Sequence, residues 1–125
     1  MLTEDMLQTT NRDSPDTAII IPQAIAELLE LHKGENVLIL DLRNPGDWTD
    51  FFIIATANSE THLDGLHRHI KTFCKEQGID ILRQSMKQIK DEWRIIDLGT
   101  IVIHLMSKAT RSFYDIERLY SMPLN

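Results

Sequence analysis

The stretch FFIIATANSETHLDGLHRHIKTFCKEQG, Phe51 to Gly78, decides how the chain folds. It opens on Phe51 to Ala55, an unbroken apolar run of strand length. Such a run implies a strand buried on both faces, as in a sheet covered by helices. Ser59 follows, and a serine there can accept a hydrogen bond from the first turn of a helix. Behind it Leu63, Leu66, Ile70, Phe73 and Cys74 fall at i, i+3, i+7, i+10 and i+11, one continuous apolar stripe. Gly78 then supplies the left-handed residue on which helices commonly end. A doubly buried strand feeding a one-sided helix points to layered α/β packing.

The flanking segments extend this pattern. Upstream, Ile21, Ile25, Leu28, Leu29 and His32 recur at helical spacing and stop before Gly34. Pro22 fits only the first turn of such a helix, which predicts a start, or a kink, near it. Val37 to Leu40 is a second aliphatic run, closed by Asp41-Leu42 and separated from Phe51 by the turn signal Asn44-Pro45-Gly46-Asp47. Its lack of polar alternation again predicts burial on both faces. Downstream, Ile79 to Arg83 can form a short strand. Trp93 to Leu98 and Ile101 to Met106 predict an antiparallel hairpin turning at Gly99-Thr100. A last helix is expected over Thr110 to Tyr120, with Phe113, Ile116 and Tyr120 on one side and Arg111 able to pair with Asp115. The expected architecture is α/β, a mixed five-stranded sheet flanked by helices. Residues 1–16, polar and without period, are expected to be a mobile N-terminal extension, leaving 17–125 as a single domain.

The chain has 125 residues, 42% hydrophobic and 26% charged, enough for one core. Its net charge of −6 disfavours general binding to a phosphate backbone and suits a basic protein partner. A single cysteine, Cys74, excludes an intramolecular disulfide and a thiolate zinc site. No apolar stretch is long enough to cross a membrane, and the acidic start lacks the pattern of a secretory signal, so a cytoplasmic location is expected.

A search for chemistry yields little. The glycines are isolated, so neither a dinucleotide-binding nor a phosphate-loop spacing can be drawn. His62 and His69 share a helix face at seven residues apart, about 10 Å along the axis, too far for one ion, and His67 points elsewhere. These three are expected to be solvated helix histidines. His104, in the strand IVIHLM, faces away from Ile103 and Leu105. Asp97 and Asp115 are the candidates to orient it, but no nucleophile motif accompanies it, so a hydrogen-bonding structural or interface role is expected over a catalytic one. The carboxylates Asp41, Asp47, Asp50, Asp91, Glu92, Asp97, Asp115 and Glu117 are scattered, as on a solvated surface. No metal site and no cofactor are expected. Trp48 lies in a polar turn. Trp93, among Lys90, Asp91, Glu92 and Arg94, is either a cap on the core or a contact anchor.

Two segments carry a family resemblance. In EWRIIDLGTIVIHLMSKATRSFYDIERLY, Glu92 to Tyr120, the residues are Trp93, Asp97, Gly99, His104, Arg111, Tyr114 and Glu117. In VLILDLRNPGDWTDFFIIATANSETHLDGLHRHI, Val37 to Ile70, they are Asp41, Thr49, Asp50, Ser59 and His62. In this ordered set the chain resembles the Iojap-like ribosomal silencing factors over about Pro22 to Tyr120. It departs from them at Thr100, Thr61 and Tyr120, where aspartate, arginine and tryptophan are common. The resemblance implies a nucleotidyltransferase-like fold without the catalytic residues, hence a binding protein and not an enzyme. It also implies binding to the large ribosomal subunit through its ribosomal protein fourteen, a steric block on small-subunit joining, repressed translation in starvation or stationary phase, and a homodimer when free. The expected contact surface uses Trp93, Asp97, Leu98, His104, Tyr114 and Asp115, with Glu117 in support. The competing readings are a residual metal-dependent nucleotidyltransferase using Asp41, Asp47 or Asp50 with magnesium, and a dimeric scaffold for another partner.

Overall fold

The computed structural model describes residues 17–43, 48–85 and 92–121. The turn expected at Asn44-Pro45-Gly46-Asp47 and the extension expected over 1–16 lie outside these residues, as do Lys90 and Asp91.

A 3-10 turn, Thr17–Ile19, leads into α1, Ile20–Leu31. Pro22 sits buried in the first turn of α1, where no backbone N–H is required of it. The helix therefore starts two residues ahead of Pro22 and is not broken there. Gly34 follows because its N–H reaches the Leu29 carbonyl at 2.7 Å, so closely that a Cβ would stand 2.9 Å from that oxygen. Then come β1, Glu35–Asp41, and β2, Phe51–Ala57. Helix α2, Glu60–Gln77, is capped as its sequence predicts. The His62 N–H donates to Ser59 Oγ at 3.0 Å, and Gly78 takes φ 70° while the Ile79 N–H returns to the Cys74 carbonyl.

Strand β3 is only Arg83–Gln84, shorter and later than the run expected from Ile79. Ile79 and Ile81 instead pack as loop residues against the core. Strands β4, Trp93–Asp97, and β5, Ile101–Ser107, pair antiparallel as expected. The helix expected over Thr110 to Tyr120 is two helices, α3, Lys108–Tyr114, and α4, Ile116–Ser121. Asp115 between them is left-handed, with φ 45° and ψ 49°.

The sheet order is β1-β2-β5-β4-β3, with β2 and β5 parallel and every other pair antiparallel. Side-chain alternation divides the core between its two faces. On one face Phe51, Ile53 and Ala55 of β2 and Ile101, Ile103 and Leu105 of β5 meet Ile25 and Leu29 of α1 and Leu63, Leu66 and Ile70 of α2. On the other, Phe52, Ile54, Val102 and Met106 meet Leu40 and Ile116. Every residue of β2 is buried, as its apolar run requires. The same expectation fails for β1. It is an edge strand, with Leu40 buried but Leu38 38% exposed. An apolar run alone cannot distinguish a central strand from an edge strand that a helix covers on one side.

Among the described residues, the second face is covered by the short α3 and α4 alone. That asymmetry leaves part of a hydrophobic sheet surface open.

Candidate functional site: an aromatic face

Trp93, at the start of β4, and His104, midway along β5, lie on this second face, because their register partners are Met106 and Ile95 respectively. The Trp93 Nε1–H donates to His104 Nδ1 at 3.1 Å. An indole nitrogen only donates, so the imidazole must accept at Nδ1 and carry its proton on Nε2. His104 is buried, and that burial lowers its pKa to about 4. It is neutral at neutral pH. Its Nε2 is buried and finds no hydrogen-bond partner among the described residues.

Around this pair the rings form a continuous track. Phe52 lies edge-on to His104 at 4.5 Å, and Trp48 and Tyr120 both approach Phe52, at 6.0 and 4.8 Å. On the other side Tyr114 stands 4.9 Å from Trp93, with Phe113 4.8 Å beyond it. The middle of the track is buried and its ends are open, with Trp48 63% and Phe113 79% exposed. Ile95, Tyr114 and Tyr120 add further exposed apolar area. Large exposed apolar patches on a soluble domain mark contact surfaces.

Of the residues expected to form the contact surface, the structure brings Trp93, His104 and Tyr114 together, whereas the others are dispersed. Asp97 is buried at the far end of β4, where its carboxylate accepts from the Gly99 N–H at 2.8 Å and from Arg83 at 3.1 Å. Leu98 packs against the opposite core cluster, with Ile21 and Ile79, and does not share a face with Trp93. Asp115 ends α3, adjacent to Tyr114. Glu117 does not simply face solvent, because its Oε2 accepts from Arg111 Nε at 3.0 Å. Arg111 therefore pairs with Glu117 and not with Asp115, since the break at Asp115 ends the helical spacing that would have aligned them. Its Nη1 also donates to Thr56 Oγ1 at 2.9 Å, fastening α3 and α4 to β2. Neither Asp97 nor Asp115 orients His104; Trp93 does.

Phe52, Trp48, Tyr120 and Ile95 were missed as members of the face. Phe52 could have been found from alternation, since it shares a strand side with Ile54 and lies opposite the helix-covered Phe51 and Ile53.

The helix histidines are partly exposed, and each also has a partner. His62 Nδ1 accepts from the Asn58 N–H at 3.0 Å and its Nε2 donates to the His32 carbonyl at 2.9 Å. His69 stacks on His32 with centroids 3.4 Å apart. His67 Nδ1 accepts from the buried Arg94, which also binds Asp64 at 2.6 Å, and its Nε2 donates to Gln84. Burial is the chief cause lowering the His67 pKa. Among the described residues no group of three His, Cys, Asp or Glu could share a metal ion. The Asp41 carboxylate is occupied by Arg43, whose hydrogen bonds hold it below the usual carboxylate range. A cleft of about 500 Å³ opens beyond the ends of the parallel strands β2 and β5. Among the described residues, Glu35, Glu60 and Glu92 line it with one cation, Lys108. Asp41 and Asp50 do not line it.

The site is an open aromatic face on an α/β layer, with the described acids dispersed or bound. Residues 14–123 match the family described as Ribosomal silencing factor during starvation. The ribosomal silencing factor of Treponema pallidum is 34% identical over 98 residues, covering 78% of this chain and 86% of that protein. That of Halalkalibacterium halodurans is 35% identical over 89 residues, covering 70% and 74%. A crystal structure of a protein from Chromobacterium violaceum superposes with a TM-score of 0.75 at 30% identity, covering 84% of this chain and 87% of that one. The chain belongs to the ribosomal silencing factor family.

Proposed function

We propose that the protein binds the large ribosomal subunit through its ribosomal protein fourteen and, seated on the intersubunit face, keeps the small subunit from joining. Translation then falls in starvation or stationary phase. The domain spanning residues 17–125 does this in the cytoplasm, as a homodimer when free, without a cofactor and without turning over a substrate. The observation that carries the reading, beyond family membership, is the open aromatic face around Trp93 and Tyr114. A steric block needs only a stable surface with a few desolvated anchors, and partly exposed tryptophan and tyrosine rings are the usual anchors. The chain's net charge of −6 adds attraction to a basic ribosomal protein.

Sucrose-gradient sedimentation with purified subunits tests it. Adding the protein should shift whole ribosomes toward free subunits, with the protein travelling in the large-subunit fraction. Unchanged subunit joining overturns the reading.

A further inference from the structure

The break at Asp115 divides a stretch whose sequence is that of one continuous helix. Phe113, Ile116 and Tyr120 keep helical spacing straight through it, and Asp115 stands four residues after Arg111. The chain nevertheless turns there through a left-handed residue that is not glycine, with φ 45°. Every residue but glycine adopts that conformation at a cost. The break leaves pieces of 7 and 6 residues, each too short to be a stable helix alone. Among the described residues, α4 is attached through Ile116 in the second core cluster, Glu117 on Arg111 and the Tyr120 ring on Phe52. Leu119 between them is 70% exposed. We infer that this segment is a two-state element, closed when broken at Asp115 and open when residues 108–121 run as one straight helix. It gates the part of the aromatic face over Phe52.

Helical geometry fixes the form of the open state. Arg111 faces the sheet, where its Nη1 donates to Thr56 of β2. At about 100° per residue, a straight continuation carries Phe113, Ile116 and Tyr120 about 200°, 140° and 180° round the axis from Arg111, toward solvent. Ile116 then leaves Leu40, Leu42 and Ile54, and Tyr120 leaves Phe52, so these four lose their helical cover. Arg111 exchanges Glu117 for Asp115, one turn further along its own side. The closed form buries Ile116 and rests Tyr120 on Phe52. The open form regains helix hydrogen bonds across the break and relieves the left-handed residue. Burial wins in the chain alone. A substitution at position 115 can reset the balance, because the hydrogen bonds of Asp115 run through its backbone N–H and carbonyl and the contacts of α4 stay in place.

The chain has two tyrosines, Tyr114 and Tyr120, one on each side of the break, so fluorine NMR of the whole protein labelled with fluorotyrosine reads it with two signals. Tyr114 stays on the Trp93 ring in both forms and is the internal control. Relaxation dispersion at the Tyr120 signal measures exchange between its seat on Phe52 and solvent. Asp115→Ala raises the cost of the left-handed turn and favours helix, whereas Asp115→Gly does the reverse. The ratio of open to closed form should be about tenfold higher in Asp115→Ala than in the parent chain, and lower in Asp115→Gly. The Cα carbon shifts of residues 115–117 in the exchanging state separate a straight helix from an unravelled end. Helical values support the proposal, and random-coil values overturn it. Equal populations in the two variants, or no exchange at Tyr120 in Asp115→Ala, also overturn it. So does a Tyr114 signal that moves together with that of Tyr120, since the hinge would then not lie at Asp115. No ribosome is present, so the outcome does not depend on the ribosomal reading.

Discussion

The Trp93 indole donates to His104 Nδ1 at 3.1 Å, across two neighbouring strands and on the one sheet face that helices leave partly open. This bond fixes both the tautomer of a buried histidine and the orientation of a half-buried ring. A proton added at Nδ1 would remove the acceptor and place a charge in an apolar pocket against Phe52.

Stability should therefore depend on pH through His104. Its folded pKa, about 4, lies below the unfolded value near 6.5, so the unfolded chain binds more protons between these limits. The contribution is fully present above pH 6.5 and is lost as pH falls through about 4. Between pH 7 and pH 5 the loss should be about 2 kcal/mol from this residue. Urea titrations at both pH values should show it, and His104→Gln should flatten the difference. His67, lowered mainly by burial, acts in the same direction, so the slope should fall without disappearing.

Tyr114 and Trp93 should separate binding from folding to different degrees. Tyr114 is 54% exposed, so Tyr114→Ala should change stability by less than about 1 kcal/mol while weakening large-subunit binding about tenfold. Trp93 is half-buried and hydrogen-bonded, and Trp93→Ala should also lower stability by about 2 kcal/mol. Co-sedimentation and thermal melting of the same samples decide this. Undiminished sedimentation of both variants would remove these rings from the contact.

Arg111 should matter chiefly to the fold. Its guanidinium, nearly buried, binds Glu117 and Thr56 and so holds the broken α3–α4 pair on the sheet. Arg111→Met should cost about 3 kcal/mol, because Glu117 and Thr56 both lose the nearly buried guanidinium they bind. Equilibrium unfolding measures it. A loss within error of zero would mean that Ile116 alone seats α4.

The parts of this molecule that were legible in its sequence are those governed by short-range rules. Ser59, the stripe from Leu63 to Cys74 and Gly78 specify α2 from cap to cap, and they do so without help from the rest of the chain. The strand pair Trp93 to Met106 was equally plain. What the sequence concealed depends on distant partners. Val37 to Leu40 has the composition of a central strand but lies at an edge, and nothing local signals which neighbour is absent. The break at Asp115 occurs where an uninterrupted helical period runs from Phe113 to Tyr120, because burying Ile116 and pairing Arg111 with Glu117 outweigh continuing the helix. The site was half legible for the same reason. Trp93, His104 and Tyr114, expected on one surface, share the aromatic face, whereas Leu98, expected beside them, packs with the opposite core cluster. Tyr120 joins the track only through Phe52, a contact that spans more than half the chain.

Ile95 offers a test that depends on charge sign at the centre of the face. It lies on β4 directly across from His104 with its side chain 37% exposed, between Trp93 and Asp97 on the same side. A partly exposed strand position accepts a long polar side chain for about 1 kcal/mol or less. Ile95→Glu and Ile95→Lys remove the same apolar contact, and both can extend their charge to solvent. If the partner's surface is basic, the glutamate variant should bind large subunits several-fold better than the lysine variant, although both bind less well than the parent chain. The gap should narrow as salt is raised from about 0.05 M to about 0.5 M, because exposed charges are screened over that range. Equal affinities at low salt would leave the face apolar in its action and the acidity of the chain irrelevant to docking. A lysine variant that binds better would mean that the surface facing Ile95 is acidic.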